Sequence, residues 1–210
     1  MTMHVSSSEI IAAIKSRVST NLYDPSRTLT RTQIEDLVAL ATRAPSAYNL
    51  QNWRFVAVSS AEGKARLQAA SFGQAKVGDA AVTFILVGKL PSHEGLAARL
   101  QPSVDAGYMP QSVADGWVEA VAGSYGGDAL KSRDEAVRSA TFAAAFLVFA
   151  AHARGLASGA MVGFEPERVS REFGLAADEI PVMLMTVGYA APGNWPQKPR
   201  VPAGEVIAHA

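Results

Sequence analysis

Three short stretches of this chain combine residue types able to grip an anion or a polar heterocycle. The first is Arg17-Val18-Ser19, followed closely by Tyr23-Asp24-Pro25. A guanidinium and a hydroxyl two residues apart can reach one phosphate together, giving a charge-assisted bidentate contact plus a neutral hydrogen bond. The same arginine could instead bond the last carbonyls of its own helix. The second stretch runs from Arg43 to Trp53 and is dense in Ser46, Asn49 and Gln51. Side-chain amides both donate and accept, which suits a ring with alternating carbonyl and N–H groups, although Pro, Ser and Asn also build plain turns. The third is Lys198-Pro199-Arg200. In an extended chain, residues i and i+2 share a side, so both cations can converge on one anion; a solvated basic tail is the alternative.

Other chemistries are excluded or lose support. The chain has no cysteine, which rules out disulfides, thiolate metal sites and a thiol nucleophile. Redox chemistry would therefore need a cofactor. Lys+Arg and Asp+Glu number 19 each, so the overall charge favours neither nucleic acid nor an anionic membrane surface. There is no G-x-G-x-x-G dinucleotide fingerprint, phosphate-binding P-loop or G-x-S-x-G elbow. The four histidines, His4, His93, His152 and His209, lie far apart; no metal site is expected, and His152 reads as a satisfied residue on a buried helix.

These stretches need a scaffold. At 210 residues, 49% of them apolar and 18% charged, the chain reads as one folded domain over 1–210. Met1 to Glu9 lacks a basic region followed by an apolar run, so a cytoplasmic location is expected. The apolar run Ala140–Ala151 falls short of the roughly 20 residues a membrane span needs and reads as a buried core helix.

A first helix is expected to start among Ser6, Ser7 and Ser8, with Ile10, Ile11 and Ile14 on one face. A second follows the capping box Thr30 to Gln33 and carries Ile34, Leu37, Val38 and Ala41, with Pro45 beyond its end. Trp53–Ser59 and Ala80–Gly88 read as strands, the latter buried on both faces, with a helix capped at Ser60 between them. Another helix is expected from Pro110 to Val121. Ser132 to Glu135 reads as a capping box opening a long, central helix that ends near Arg154, with Gly155 just beyond. Strand Ser158–Val162, helix Pro166–Phe173 and strand Val182–Tyr189 read as a β-α-β unit, which would make part of the sheet parallel. The prolines from Pro192 to Pro202 forbid a helix, leaving 190–210 as an extended arm.

Taken together, the motifs resemble the nitroreductase family of FMN enzymes. The resemblance is carried by Arg17-x-Ser19 with Tyr23-Asp24-Pro25, by Ala44-Pro45-Ser46-x-x-Asn49-x-Gln51-x-Trp53, by Phe72 to Lys76, by Met161 to Pro166, and by Lys198-x-Arg200, all in order. It spans nearly the whole chain, with 90–131 matching least. Asn21 stands where the family often has a second basic residue, and Asn52 where it usually has proline.

The resemblance implies an α+β fold: a central mixed sheet packed by helices, in an intertwined homodimer whose C-terminal arm wraps the partner. It implies FMN at the subunit interface. The phosphate would lie on Arg17, Ser19, Lys198 and Arg200, with Val18 and Asn21 beside them. The ring would meet Pro45, Ser46 and Asn49, with Gln74 and Lys76 at its pyrimidine edge and the N–H groups of Val162 and Gly163 near N5. Lys76 would stabilise negative charge on the reduced ring. The implied activity is electron transfer from NADH or NADPH, through the flavin, to a nitroaromatic, quinone, enone or similar small acceptor by a ping-pong route; a flavin store or sensor is the alternative. The segment 90–131, with Tyr108, Met109, Trp117 and Tyr125, is expected to line or cover the pocket.

Overall fold

The computed structural model describes residues 7–210. His4, Ser6 and the start of the N-terminal stretch lie outside the described residues. Helix α1 (Ser7–Ser16) is followed by α2 (Arg31–Ala41). The capping box that opens α2 is present: the Thr30 hydroxyl accepts from the Gln33 N–H at 3.2 Å, and the Gln33 side chain accepts from the Thr30 N–H at 2.8 Å. Ile34, Leu37 and Ala41 face inward, as their helical spacing demands.

Strand β1 (Trp53–Val58) leads through α3 (Ala61–Ala69), capped by Ser60, and α4 (Ala75–Asp79) into β2 (Val82–Lys89). Helices α5 (Leu96–Asp105), α6 (Gln111–Tyr125) and α7 (Ala129–Ala153) follow. Then come β3 (Ala157–Met161), α8 (Pro166–Glu172), β4 (Glu179–Gly188) and the short α9 (Ala203–Val206).

The strands form one sheet in the order β1-β2-β4-β3. Every named pair is antiparallel, and the parallel unit expected from β3, α8 and β4 does not form. A parallel neighbour requires a crossover that carries the chain back along the sheet. The connection through the 7-residue α8 instead returns the chain at the end of the sheet where β3 finishes, with Met161 paired to Leu184 and Ala157 to Gly188. The parallel pairing seen among the described residues is the isolated bridge Ser19–Ser158. Pro181 sits in β4 where the register shifts opposite Leu86 and Val87, a place where a missing N–H is tolerated.

Strand β2 is buried on both faces, and its alternation sorts the core into two. Val82, Phe84 and Leu86 pack with Leu37 of α2 and Leu147 of α7. On the opposite face, Ile85 and Val87 pack with Leu67, Val77 and Val169 from α3, α4 and α8. A third apolar cluster stands apart, built by α5 and α6 around Leu50, Leu96 and Leu100.

Helix α7 starts earlier than its sequence suggests. Asp128, not Ser132, caps it, accepting from the Lys131 N–H at 2.9 Å, while the Ser132 hydroxyl donates to the Tyr125 carbonyl. Gly155 lies just beyond its end with φ +68°, the left-handed conformation glycine adopts without a Cβ penalty. Its inner face is mostly small, with Ala136, Ala140, Ala143, Ala144 and Ala151 buried. Its outer face is not buried: Phe142, Phe146 and Phe149 are 38–47% exposed, as are Ile10, Ile11 and Ile14 of the adjoining α1 at 50–53%. The sequence suggests burial all round, yet one apolar stripe of α7 faces outward in the single chain. Among the described residues, α7 is the one helix long and apolar enough to cross a membrane; its inner face forms the core of this fold.

The approach of α7 to β2 is tight. A Cβ on Gly88 would lie 2.4 Å from the Ala136 carbonyl oxygen, a backbone atom that cannot swing aside. Gly88→Ala is expected to destabilise the fold by about 3 kcal/mol, the upper part of the overpacking range, read as a lower urea midpoint. An unchanged midpoint would contradict this packing.

Candidate functional site

The segment after α1 is tied to the far edge of the sheet. The Thr20 N–H donates to the Ser158 carbonyl at 2.9 Å, and the Asp24 N–H to the Tyr189 carbonyl. Tyr23 is buried between them, its hydroxyl 2.9 Å from Thr186 Oγ1, and burial pushes its phenol above the usual range. Gly159 makes this close approach feasible, since a Cβ there would lie 2.4 Å from the Thr20 carbonyl.

Arg17 and Val18 are thereby held over a cavity of about 320 Å³ that Ser158, His152 and Asn194 also line. The Arg17 N–H bonds the Ala13 carbonyl, but among the described residues its guanidinium and the Ser19 hydroxyl make no hydrogen bond. His152 is half-buried, with its ring 3.3 Å from the Ser16 hydroxyl.

Asn194 fastens two segments to each other, a role that its sequence context does not announce. Its side-chain oxygen accepts from the N–H groups of Asn21 and Leu22 at 2.8 and 2.9 Å, and its amide donates to the carbonyls of Leu22 and Ala191. This spends both donors and the acceptor of one amide on latching the root of the C-terminal arm to the segment after Arg17. The available signal was Gly193-Asn194, a turn pair amid the prolines, with Gly193 at φ +96°.

Asn21 also connects onward. Its side-chain oxygen accepts from Lys76 Nζ at 3.3 Å. Burial lowers the Lys76 pKa, and the Lys198 ammonium nearby lowers it further. The structure thus groups Asn21, Lys76 and Lys198 around one region of positive potential.

Two residues before Lys76, Gln74 donates to the Gly163 carbonyl at 2.8 Å and to the Ser71 carbonyl. The loop entering α8 is fastened there, with the Glu165 N–H bonded to the Ala70 carbonyl. A Cβ on Gly163 would meet the Gln74 amide nitrogen at 3.1 Å, and the Gly163 N–H has no partner among the described residues. Val162 and Phe72 flank this loop pair, 75% and 69% exposed.

Lys198 and Arg200 do not converge in the single chain. The Arg200 guanidinium turns back onto the Lys198 carbonyl and the Gln197 side chain, while Lys198 Nζ lies 5.4 Å from the Trp195 ring centroid. The arm carrying them is exposed, with Trp195, Val201, Val206 and Ile207 uncovered.

The turn holding Pro45, Ser46 and Asn49 is wound in an unusual backbone conformation. Tyr48, Asn49 and Gln51 all have φ between +46° and +55°, costing about 1–3 kcal/mol each where no glycine is present. The Ser46 hydroxyl accepts from the Gln51 N–H at 2.9 Å. No hydrogen bond among the described residues joins this turn to the Asn21–Lys76 group. Among the described residues, the four non-glycine residues with positive φ are these three and Phe72, so the strain there lies in two of the loops singled out by their sequence.

Comparison with known proteins decides the family. The model of the nitroreductase family matches residues 14–189. The chain belongs to that family. Among relatives of this nitroreductase-family chain, a Bacillus subtilis protein named as an NAD(P)H nitroreductase, YodC, is 30% identical over 92% of this chain and 95% of its own. A Thermus thermophilus NADH dehydrogenase is 30% identical over 83% of each. Among solved structures, a protein of Exiguobacterium sibiricum, named as a nitroreductase and solved in complex with FMN, superposes with a TM-score of 0.87 at 27% identity, each chain covered in full. These matches bear out the α+β nitroreductase fold.

A lysine whose pKa is lowered in the folded protein is charged only below that lowered value, and a bound anion favours the charged form. Affinity for sulfate, whose charge is constant, is therefore expected to fall as pH rises from 7 to 10, and Lys76→Met removes the part of that fall due to Lys76. Isothermal titration calorimetry measures it; an identical pH profile in the variant would contradict the assignment.

Proposed function

We propose that this chain is an FMN-dependent NAD(P)H oxidoreductase that works as a homodimer in the cytoplasm and passes electrons to a small acceptor such as a nitroaromatic, quinone or enone. The observation that carries the reading is the connected group Asn21–Lys76 and Gln74–Gly163: positive potential at one end, a backbone N–H without a partner among the described residues at the other, and exposed apolar side chains beside it. That donor set fits FMN. The FMN-bound state of the E. sibiricum protein supports the cofactor, and the names of the relatives support NADH or NADPH as reductant. Dependence on a nicotinamide supports the location.

Arg17 and Ser19, whose side-chain polar groups are uncommitted among the described residues, would bind the phosphate, with Val18 and Asn21 beside them. Lys198 and Arg200 would join them once the arm is seated. Arg200 gives up only bonds within its own exposed arm to do so. Lys76 and Gln74 would hold the pyrimidine edge, and Lys76 would oppose negative charge building there on reduction. The N–H groups of Val162 and Gly163 would face N5. Flavin supplies hydride acceptance and onward electron transfer; the protein binds, orients and sets the charge around it. No side-chain acid is required.

The turn at Pro45, Ser46 and Asn49 is not bonded to this group within one chain. A second copy would bring it to the ring. The uncovered Ile and Phe stripe on α1 and α7 supports such a partner, as does the exposed apolar arm, because both gain burial by meeting another subunit.

One pocket serving donor and acceptor in turn gives ping-pong kinetics. Initial rates with varied NADH and a quinone are expected to give parallel double-reciprocal lines, and a nitroaromatic acceptor the same pattern. Converging lines would contradict a shared pocket.

A further inference from the structure

Glu135 is a carboxylate that the proposed chemistry does not use, yet it is only 2% exposed. Burying a carboxylate is costly unless its oxygens are satisfied. Here three donors meet it. Ser139 donates to Oε1 at 2.9 Å, Tyr125 donates to Oε2 at 3.2 Å, and Arg138 pairs with Oε2. The Tyr125 phenol pKa is pushed up to about 12, first by burial and then by Glu135, with Tyr48 close enough to contribute.

Tyr125 ends α6, the helix whose inner face carries Trp117. The Trp117 ring meets the Tyr48 ring edge-on, with centroids 6.0 Å apart. Tyr48, Leu50, Trp117 and Tyr125 share one apolar cluster with α5, and Arg99 of α5 donates to the Leu50 carbonyl at 2.8 Å. The left-handed turn is thus gripped from outside, by the α5–α6 pair. That pair is anchored to α7 at its Tyr125 end through Glu135. A turn with three non-glycine residues at positive φ needs such support, since nothing in its own backbone preference holds it.

We propose that Glu135 is a positioning residue for the Ser46–Gln51 turn, acting through Tyr125 and the α6 face that carries Trp117. Its consequence for catalysis rests on the reading above, that this turn meets the flavin ring. The role belongs to α6 as well: rather than merely covering a pocket, Trp117 and Tyr125 set the geometry of the turn that orients Ser46 and Asn49.

The test starts with the full-length protein freed of flavin, where amide hydrogen exchange reports the turn directly. The N–H groups of Asn49, Leu50 and Gln51 are bonded to the Ser46 carbonyl, the Ala47 carbonyl and the Ser46 hydroxyl, so they exchange slowly while the turn holds. Tyr125→Phe removes one hydroxyl without changing shape. It is expected to speed exchange at these amides about tenfold, the effect of losing one hydrogen bond to a charged group, while β2 and α7 amides keep wild-type protection. Glu135→Gln, which keeps an acceptor, is expected to lose less protection than Glu135→Ala.

With FMN added, Tyr125→Phe is expected to shift the flavin absorption band and to raise the acceptor KM about fivefold with kcat little changed, as a misplaced binding group does. Turn amides at wild-type protection in Tyr125→Phe would overturn the proposal. So would uniform acceleration through β2 and α7, because Glu135 would then serve the core alone. Loosened turn amides with an unaltered flavin band would uphold the positioning and remove the flavin from the turn, so the two failures are separable.

Discussion

The close seating of α7 on β2 is the constraint around which the rest of the molecule is arranged. An inner face of alanines and a glycine at the end of the strand let the helix axis come near enough to cover the sheet. The bulk is displaced to the other side of the helix, where three phenylalanines at i, i+4 and i+7 stand uncovered. A chain that spends its small residues inward and its large ones outward is built to have that outer face met by something apolar. In the proposed function a second copy covers that face and completes the pocket.

Within one chain, the site is a convergence of segments far apart in sequence. A single amide, Asn194, ties the arm root to the segment after α1, and a single lysine, Lys76, ties that segment to α4. Gln74 then reaches the loop before α8. Short polar links of this kind hold loops in register without burying large surfaces, and among the described residues they leave the Arg17 guanidinium, the Ser19 hydroxyl and the Gly163 N–H without a hydrogen bond. The Ser46–Gln51 turn is strained, and the packed α5–α6 pair supports it from behind.

Much of this was legible in the sequence. The Thr30 capping box, the doubly buried β2 and the αL glycine after α7 follow from local rules, and the structure obeys them. The β3–β4 pairing did not, because strand direction depends on where the connecting chain returns, and the connection through α8 re-enters the sheet at the end where β3 finishes. The start of α7 was misread because Asp128 and Ser132 both offer capping side chains, and only tertiary packing of Ser132 against Tyr125 selects between them. Helix α5 was invisible since Pro102 lies inside it. Of the candidate site, the residue types stood out but their partners did not: nothing local joins Asn21 to Lys76, 55 residues away, or marks Glu135 as buried.

The central claim is that the grouped cations and loops hold a flavin that a nicotinamide can reduce. Visible absorbance of the purified, FMN-loaded protein, recorded before and after anaerobic NADH or NADPH, tests it most directly. The account predicts flavin bands that bleach when the nicotinamide is added. Bands that persist with both nicotinamides, or a protein that stays colourless after incubation with FMN, would contradict it.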